Sequence, residues 1–224
     1  MSPKNLNVSS KTHKNLLNKL RDKRLFQIYR KFENIPKLNQ DFIVGVSGGR
    51  DSLALCFLTK IYSIKKSLNA YYYIIDHRLR KNSSSEAKSV KNLLKKNNIK
   101  SDILKWYGKK PISNVQSMAR NKRYSLLIKQ AKKLNIKNIL TGHHLDDMYE
   151  NFFIRISRGS GLNGLVSFGE YTKRDKVNIL RPIISFEKKY LNYVTTKVFR
   201  FYIKDPSNED NKFKRVRIRK LIKN

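Results

Sequence analysis

The residues with the clearest chemical signature lie between an apolar, strand-like run and an apolar, helix-like run. They are Ser47, Gly48, Gly49, Asp51 and Ser52. Adjacent glycines permit a tight turn and let the backbone approach a ligand without a Cβ in the way. The free N–H groups and the dipole of the following helix favour an anion at this turn. Because serine hydroxyls donate to phosphate oxygens, the segment predicts a pyrophosphate-binding loop.

Asp51 adds a cation to this prediction. A carboxylate beside phosphates is repelled unless a cation lies between them, and Mg²⁺ is commonly held by one or two carboxylates plus phosphate oxygens. The segment contains neither Gly-x-x-x-x-Gly-Lys-Ser/Thr nor Gly-x-Gly-x-x-Gly, so a nucleoside-triphosphatase loop and a dinucleotide fold of that type are unsupported. An ordinary strand-to-helix turn remains the alternative.

A second set of reactive side chains follows an apolar run at 136–141. His143, Asp147 and Glu150 have the i, i+4, i+7 spacing of one helix face, and Asp146 pairs with Glu150 at i, i+4. Zinc is a weaker hypothesis, because the His-Glu-x-x-His spacing is absent. We expect an acid/base or nucleotide-orienting role for His143 and a second magnesium carboxylate. A capping, salt-bridged helix start is the structural alternative.

The elements that position these residues alternate between strands and helices. Strands are predicted at 42–46, 71–75, 99–106 and 136–141, and helices at 13–33, 51–66, 85–97, 113–135, 145–157 and 186–203. Ser83–Glu86 is expected to cap the helix at 85–97, and a short hairpin is expected within 158–180. The alternation predicts a doubly wound, mostly parallel α/β sheet. Asp76-His77 then joins the two motifs at the carboxyl ends of the strands, where such sheets bind ligands.

Charge is the strongest signal in the composition. The 224 residues include 50 Lys and Arg against 16 Asp and Glu, a formal net charge of +34. We expect RNA or DNA as a partner. The alternative is that a compositional bias of the genome has placed many Lys and Asn residues on a solvated surface. The one cysteine, Cys56, excludes a disulfide framework and a Cys-ligated metal centre within one chain. No apolar run approaches ~20 residues, so no membrane span is expected, and the cytoplasm is the expected compartment.

Six motifs occur in an order that gives the sequence a specific resemblance. They are Ser47–Leu55, Asp76–Arg80, Ala119–Tyr124, His143–Asp147, Arg158–Leu162 and Asp205–Asn208. Over about residues 40–220 they resemble the tRNA(Ile)-lysidine synthetase family, within the pyrophosphate-loop ATP pyrophosphatases. The resemblance implies an adenine nucleotide alpha hydrolase-like fold with a basic helical C-terminal extension.

The activity implied by this resemblance is ATP-dependent ligation of free L-lysine to the wobble cytidine of isoleucine tRNA with a CAU anticodon. The cytidine is first adenylated, and the products are lysidine, AMP and pyrophosphate. ATP and Mg²⁺ are the implied cofactors. A 2-thiocytidine-forming enzyme is the nearest alternative, but such enzymes typically need paired cysteines. A non-catalytic RNA-binding protein should have lost Asp51 or His143, and both are present.

The resemblance also implies roles for individual residues. The nucleotide would be held by Ser47, Gly48, Gly49, Arg50, Asp51, Ser52 and His77. Catalytic roles are implied for Asp51, His143, Asp147 and Arg120, with Mg²⁺ on Asp51 and Asp147. The tRNA would be contacted by Arg120, Arg123, Arg158, Arg215 and Arg217. The lysine would be recognised by Asp147 or Glu150, between which the sequence does not decide.

Three segments are expected: a basic N-terminal helical segment at 1–40, a catalytic domain at 41–185, and a basic, tRNA-contacting C-terminal helix and tail at 186–224. Two residues depart from the family pattern, Asn151 in place of Thr or Ser and Val216 in place of Asn. Many family members continue beyond this length. A minimal form that relies on surface charge, a homodimer and a decayed copy are the alternatives, and the intact motifs disfavour decay.

Overall fold

The computed structural model describes residues 13–35, 38–108, 115–161, 169–204 and 214–223. The strands are β1 Phe42–Val46, β2 Ala70–Asp76, β3 Ser101–Lys105, β4 Asn138–Thr141, β5 Tyr171–Arg174 and β6 Val177–Leu180. Helical residues 13–18 and a 3-10 helix, Lys19–Arg21, precede the longer helices. These are α1 Lys23–Glu33, α2 Arg50–Lys65, α3 Ser83–Lys96, α4 Val115–Lys133, α5 Leu145–Ile156, α6 Lys188–Phe199 and α7 Lys214–Lys223.

The strands form one six-stranded sheet in the order β3-β2-β1-β4-β6-β5. All neighbouring pairs are parallel except β5 with β6, which are antiparallel. The chain leaves β1 towards β2 and β3 on one side and later reaches β4 and β6 on the other. The strand order therefore reverses between β1 and β4, which is where open α/β sheets bind ligands. The α/β prediction is confirmed.

Apolar side chains cover both faces of the sheet. Along β1, Val44 and Val46 belong to the larger core, whereas Ile43 belongs to the smaller one beneath α4, as the alternation of a strand requires. Helix α2 lies inside the larger core, and Ser52–Thr59 are all buried. The loop between β1 and α2 is therefore held at both ends by rigid, buried elements.

The N-terminal helix differs from the continuous helix predicted over 13–33. It is interrupted before Lys23, because Asp22 accepts a hydrogen bond from the Leu25 N–H at 2.9 Å and so begins a new helix. Asp22 also accepts from the Tyr193 hydroxyl and pairs with Lys197 at 3.1 Å, which joins α1 to α6. The N-terminal and C-terminal segments thus pack with α2, and the boundaries at 40 and 185 stay predictions.

The C-terminal half of the described chain also departs from expectation. The hairpin predicted within 158–180 is present as β5 and β6, but β6 also pairs in parallel with β4 and so extends the main sheet. Helix α6 ends at Phe199 rather than at 203, because Arg200 takes a left-handed conformation with φ of 57°. Within the described ranges, no helix combines the length and apolar character needed to cross a membrane.

Candidate active site

The loop after β1 is shaped by contacts among its own residues. Gly48 has a φ of +82°, and a Cβ added there would lie 2.5 Å from Val90 Cγ2, so both backbone and space require glycine. The Ser52 hydroxyl donates to the Gly49 carbonyl oxygen at 2.9 Å and lies 3.1 Å from Ser47 Oγ. Gly49 is the N-cap of α2 and no side chain caps this helix. The start of α2 is therefore suited to bind an anion, and binding of pyrophosphate there stays a prediction.

Residues 201–204 close one side of this loop. The Ile203 N–H donates to the Gly48 carbonyl oxygen at 2.9 Å. The Arg50 guanidinium lies 4.0 Å from the centre of the Tyr202 ring and donates to Asn192 Oδ1 at 3.4 Å and to the Tyr202 hydroxyl. In this conformation the Arg50 side chain binds residues of the C-terminal half, and its contact with nucleotide stays a prediction.

The turn after β2 is organised by Asp76, which is 1% exposed. Its carboxylate accepts from the Arg78 N–H at 3.0 Å and from the hydroxyls of Ser83 and Ser84 at 2.9 and 2.6 Å. The prediction that these serines cap α3 is therefore wrong. The N-cap is Asn82, and it makes no side-chain capping bond. The serines hold the turn that carries His77 at the carboxyl edge of the sheet.

Replacing Asp76 with Asn should loosen this turn and reduce stability by about 1–3 kcal/mol, because a buried hydrogen-bond acceptor loses its charge. Burial raises the pKa of Asp76, but donors on Ser84, Ser83 and Arg78 outweigh it and leave the pKa below its usual 3.8. The carboxylate therefore stabilises the fold above the unfolded-state pKa, and this is lost as pH falls through the folded-state pKa. Urea unfolding should show a difference at pH ~7 that shrinks in acid. A difference independent of pH would contradict this account.

Helix α5 begins at Leu145, with His144 as its N-cap. His144 Nδ1 accepts from the Asp146 N–H at 3.2 Å, and the Asp147 carboxylate accepts from the His144 N–H at 3.1 Å, forming a capping box. His143 precedes the helix, so the predicted helical face of His143, Asp147 and Glu150 is wrong for its first member. Its Nδ1 lies 3.0 Å from Thr141 Oγ1, and its catalytic role stays a prediction.

The second histidine joins the two sequence motifs. His144 Nε2 lies 3.5 Å from Asp51 Oδ2 and 3.8 Å from Asp147 Oδ2. Burial lowers the pKa of His144, but the surrounding carboxylates outweigh this effect and hold the pKa above its usual value. His144 belongs to the His143–Asp147 motif, but the sequence alone does not show which of the two adjacent histidines caps the helix.

The Asp51 carboxylate is suited to bind a magnesium ion, whereas the part of Asp147 in such a site stays a prediction. Asp51 Oδ1 is buried and has no hydrogen-bond partner within the described part of the chain. A buried carboxylate oxygen in that state is unfavourable unless a cation or donor reaches it. No group of three His, Cys, Asp or Glu side chains in the described ranges forms a metal cluster. Mg²⁺ at this position would therefore take its remaining ligands from phosphate oxygens and water, as it commonly does.

Gly142 sets the distance between the two motifs. A Cβ added to it would lie 3.0 Å from Ser52 Cα and 3.1 Å from Ser52 N, which are backbone atoms of α2. The turn after β4 therefore approaches the start of α2 as closely as a residue without a side chain allows.

Replacing Gly142 with Ala should push the turn after β4 away from the start of α2. This should lower stability by about 1–3 kcal/mol and weaken nucleotide binding. Thermal unfolding and Mg²⁺–ATP calorimetry measure the two effects. Gly161→Ala is the matched control, because a Cβ at Gly161 meets no atom of the described residues within 4 Å. Equal behaviour of the two variants would rule out this close approach.

A buried ion pair joins α5, the helix that carries Asp147, to α7. Glu150 is 1% exposed, and its carboxylate accepts from Arg219 Nε and, at 3.1 Å, from Arg219 Nη2. This bidentate contact attaches α7 to α5. Sequence reasoning missed Arg219, because the alternating arginines of the basic tail carry no signal for which of them is buried.

The remaining predicted arginines lie on separate elements. Arg120 and Arg123 are partly exposed on α4, and the Arg120 guanidinium lies 5.5 Å from the centre of the Tyr124 ring. Arg158 follows α5 and is exposed, as is Arg217 on α7. The Arg215 side chain, Leu162 and the 205–208 motif lie outside what the structure describes.

Comparison with known proteins agrees with this geometry. Residues 18–224 match the family described as the PP-loop domain. The tRNA(Ile)-lysidine synthase of Orientia tsutsugamushi (strain Boryong) is 40% identical over 196 residues, covering 86% of this chain and 42% of the relative. The tRNA(Ile)-lysidine synthase of Rhodopseudomonas palustris is 37% identical over 182 residues, covering 80% of this chain and 53% of the relative. The chain spans about half the length of the curated relatives it matches.

A solved structure shares the fold. The U34-tRNA thiolase NcsA from Methanococcus maripaludis, determined with its 4Fe-4S cluster, superposes with a TM-score of 0.76. The match covers 88% of this chain and 72% of the thiolase, at 17% sequence identity. At that identity the likeness establishes the fold alone.

Proposed function

The chain belongs to the PP-loop domain family, and on that premise we propose that it is an ATP-dependent tRNA-modifying enzyme. Its proposed reaction joins free L-lysine to the wobble cytidine of isoleucine tRNA with a CAU anticodon. The observation that carries the proposal is the buried Asp51 Oδ1, which has no hydrogen-bond partner among the described residues and lies at the start of α2, whose N-cap is a glycine. An anion-binding helix start next to a carboxylate suits a Mg²⁺–triphosphate.

The proposed reaction has two steps. The cytidine carbonyl oxygen attacks the α-phosphorus of ATP, and pyrophosphate leaves. The neutral amine of lysine then attacks the activated carbon of the base, the carbon–oxygen bond breaks, and AMP leaves. A carbonyl oxygen is a weak nucleophile, so positioning and neutralisation of the departing pyrophosphate must supply much of the rate.

The chain's own residues divide this work. The Ser47–Ser52 loop and α2 N–H groups bind the triphosphate. Asp51 and Asp147 hold Mg²⁺, which when bound neutralises phosphate charge. His77 and His143 contact the nucleotide from beyond the ends of β2 and β4, the two strands that flank β1. Arg120 clamps a phosphate or orients the tRNA.

We propose that Asp147 rather than Glu150 recognises the lysine, in the second step, after Mg²⁺ has left the site with pyrophosphate. The Glu150 carboxylate is 1% exposed and already accepts two hydrogen bonds from Arg219. The Asp147 side chain is 16% exposed and borders the nucleotide site through His144. A carboxylate at that position can attract the ammonium group of the substrate, whereas Glu150 would have to give up its hydrogen bonds from Arg219.

The structure offers no support for sulfur chemistry as the alternative. Cys56 is the one cysteine of the sequence, lies in α2 and is fully buried. Burial raises the pKa of the Cys56 thiol, which disfavours the thiolate needed for sulfur transfer or cluster ligation.

The tRNA is proposed to bind to the basic surface, with contributions from Arg120, Arg123, Arg158, Arg215 and Arg217. A net charge of +34 should make phosphate contacts dominate the affinity. The wobble base must then leave its stack to enter the site.

The affinity for tRNA should weaken steeply between low and moderate salt, and filter binding across a salt series measures this. An affinity that does not change with salt would show that phosphate contacts do not dominate binding.

A homodimer and a cytoplasmic location stay predictions.

The direct test incubates the chain with ATP, Mg²⁺, radiolabelled lysine and unmodified isoleucine tRNA bearing CAU. We expect label in the tRNA together with AMP and pyrophosphate. The same tRNA with uridine at the wobble position is the control and should remain unlabelled. ATP cleavage that depends on another acceptor would keep the PP-loop chemistry and reject lysine ligation. Absence of ATP binding would reject both.

A further inference from the structure

His144 lies where the two halves of the candidate site meet, and its ring is 5% exposed. Its two nitrogens face different partners. Nδ1 accepts from the Asp146 N–H at 3.2 Å, while Nε2 lies between the carboxylates of Asp51 and Asp147. One imidazole thus contacts the start of α5 and, through Asp51, the start of α2.

The contact at Nδ1 determines where the ring carries its proton. A nitrogen that accepts from a backbone N–H has no hydrogen of its own, so the proton of the neutral ring lies on Nε2. Nε2 therefore presents N–H to Asp51 Oδ2 at 3.5 Å and, more distantly, to Asp147. A fixed tautomer aimed at a carboxylate is how proteins commonly orient side chains around metal sites.

We propose that His144 is a positioning residue that orients the Asp51 carboxylate for the cation bound with the nucleotide. Without the Nε2 donor, both oxygens of Asp51 would lack a partner in the described chain, because Oδ1 already has none. The side chain would then be free to rotate about its Cα–Cβ bond. With Oδ2 held by His144, Oδ1 remains directed to the cation. This role rests on the proposed binding of Mg²⁺–ATP but not on lysine or tRNA.

A simple capping role is the competing explanation, since a capping box at α5 would be retained for stability alone. Two substitutions separate the explanations. In His144→Asn, the amide oxygen occupies about the place of Nδ1 and still caps the helix, but nothing reaches Asp51. In His144→Gln, the longer side chain brings an N–H towards Asp51, but glutamine is not a favoured N-cap.

If His144 positions Asp51, the two variants should behave in opposite ways. His144→Asn should unfold at nearly the wild-type temperature yet bind Mg²⁺–ATP about 10–100-fold more weakly, as loss of a supporting partner of a metal ligand typically does. His144→Gln should unfold at a lower temperature and keep most of the affinity. Calorimetry and thermal unfolding supply both readouts. Wild-type affinity in His144→Asn would overturn the proposal.

A spectroscopic test needs neither nucleotide nor activity. The chain has four histidines, so ¹⁵N resonances of labelled histidine can be assigned by single substitutions. We expect the His144 ring to show a protonated Nε2, and Asp51→Asn to shift Nε2 more than Nδ1. A protonated Nδ1 with bare Nε2, or insensitivity to Asp51→Asn, would reject the contact. If instead the NMR result holds and wild-type protein binds no Mg²⁺–ATP, the proposed function fails while the His144–Asp51 contact stands.

Discussion

Asp51→Asn should reduce lysine incorporation by ~100-fold or more, because the neutral amide is a poor ligand for the Mg²⁺ that neutralises the triphosphate. The substitution keeps the shape of the side chain and its place in the first turn of α2. It removes the negative charge from the buried Oδ1, the atom that fits a cation. Single-turnover release of pyrophosphate and AMP, measured across a magnesium series, should show a lower rate that added Mg²⁺ does not restore.

Asp102→Asn is the matched control for Asp51→Asn. The Asp102 side chain is 63% exposed on β3 and pairs with Lys91 at 3.3 Å, so its loss should leave activity and stability nearly unchanged. Wild-type activity of Asp51→Asn across the whole magnesium series, including its lowest concentrations, would exclude Asp51 as a metal ligand. Equal losses in both variants would indicate a general effect of charge rather than a role in the site.

The parts of the fold visible in the sequence are those whose signal is local. Strands β1 to β4 and helices α2 to α5 were identified because apolar runs and helical spacing recur along the chain. The parallel pairing of β6 with β4 depends on residues far apart in sequence, and Val177 and Ile179 alternate as they would in a simple hairpin. The sequence therefore indicated a hairpin but not its place in the main sheet.

In the candidate site, too, only the features contained in a short segment could be predicted from the sequence. The Ser47–Ser52 loop was recognisable because its chemistry is contained in one short segment. The role of His144 depends on α5 starting at Leu145, and a shift of one residue would have placed His143 at the cap. The hydrogen bonds from Ser83 and Ser84 to Asp76 span the loop after β2, so local rules assigned these serines to a cap instead.

Arg219→Ala should have the largest effect on stability of the substitutions considered. It leaves the Glu150 carboxylate, which is 1% exposed, without its partner on α7. Removing one member of a buried ion pair typically costs about 3–5 kcal/mol. Because this pair joins α7 to α5, the loss should first appear as detachment of α7. Hydrogen exchange should quicken across 214–223, and the unfolding temperature should fall.

A double substitution shows whether the effect comes from the unpaired charge. Glu150→Gln combined with Arg219→Ala removes both charges, so it should recover part of the stability that Arg219→Ala loses. Arg217→Ala, which truncates an exposed arginine of the same helix, should leave exchange in α7 nearly unchanged. Recovery of stability would mean that α7 is attached to α5 through this pair. Helix α7 would then support α5, the helix that carries Asp147. Absence of recovery would mean instead that packing of the Arg219 stem holds α7 in place.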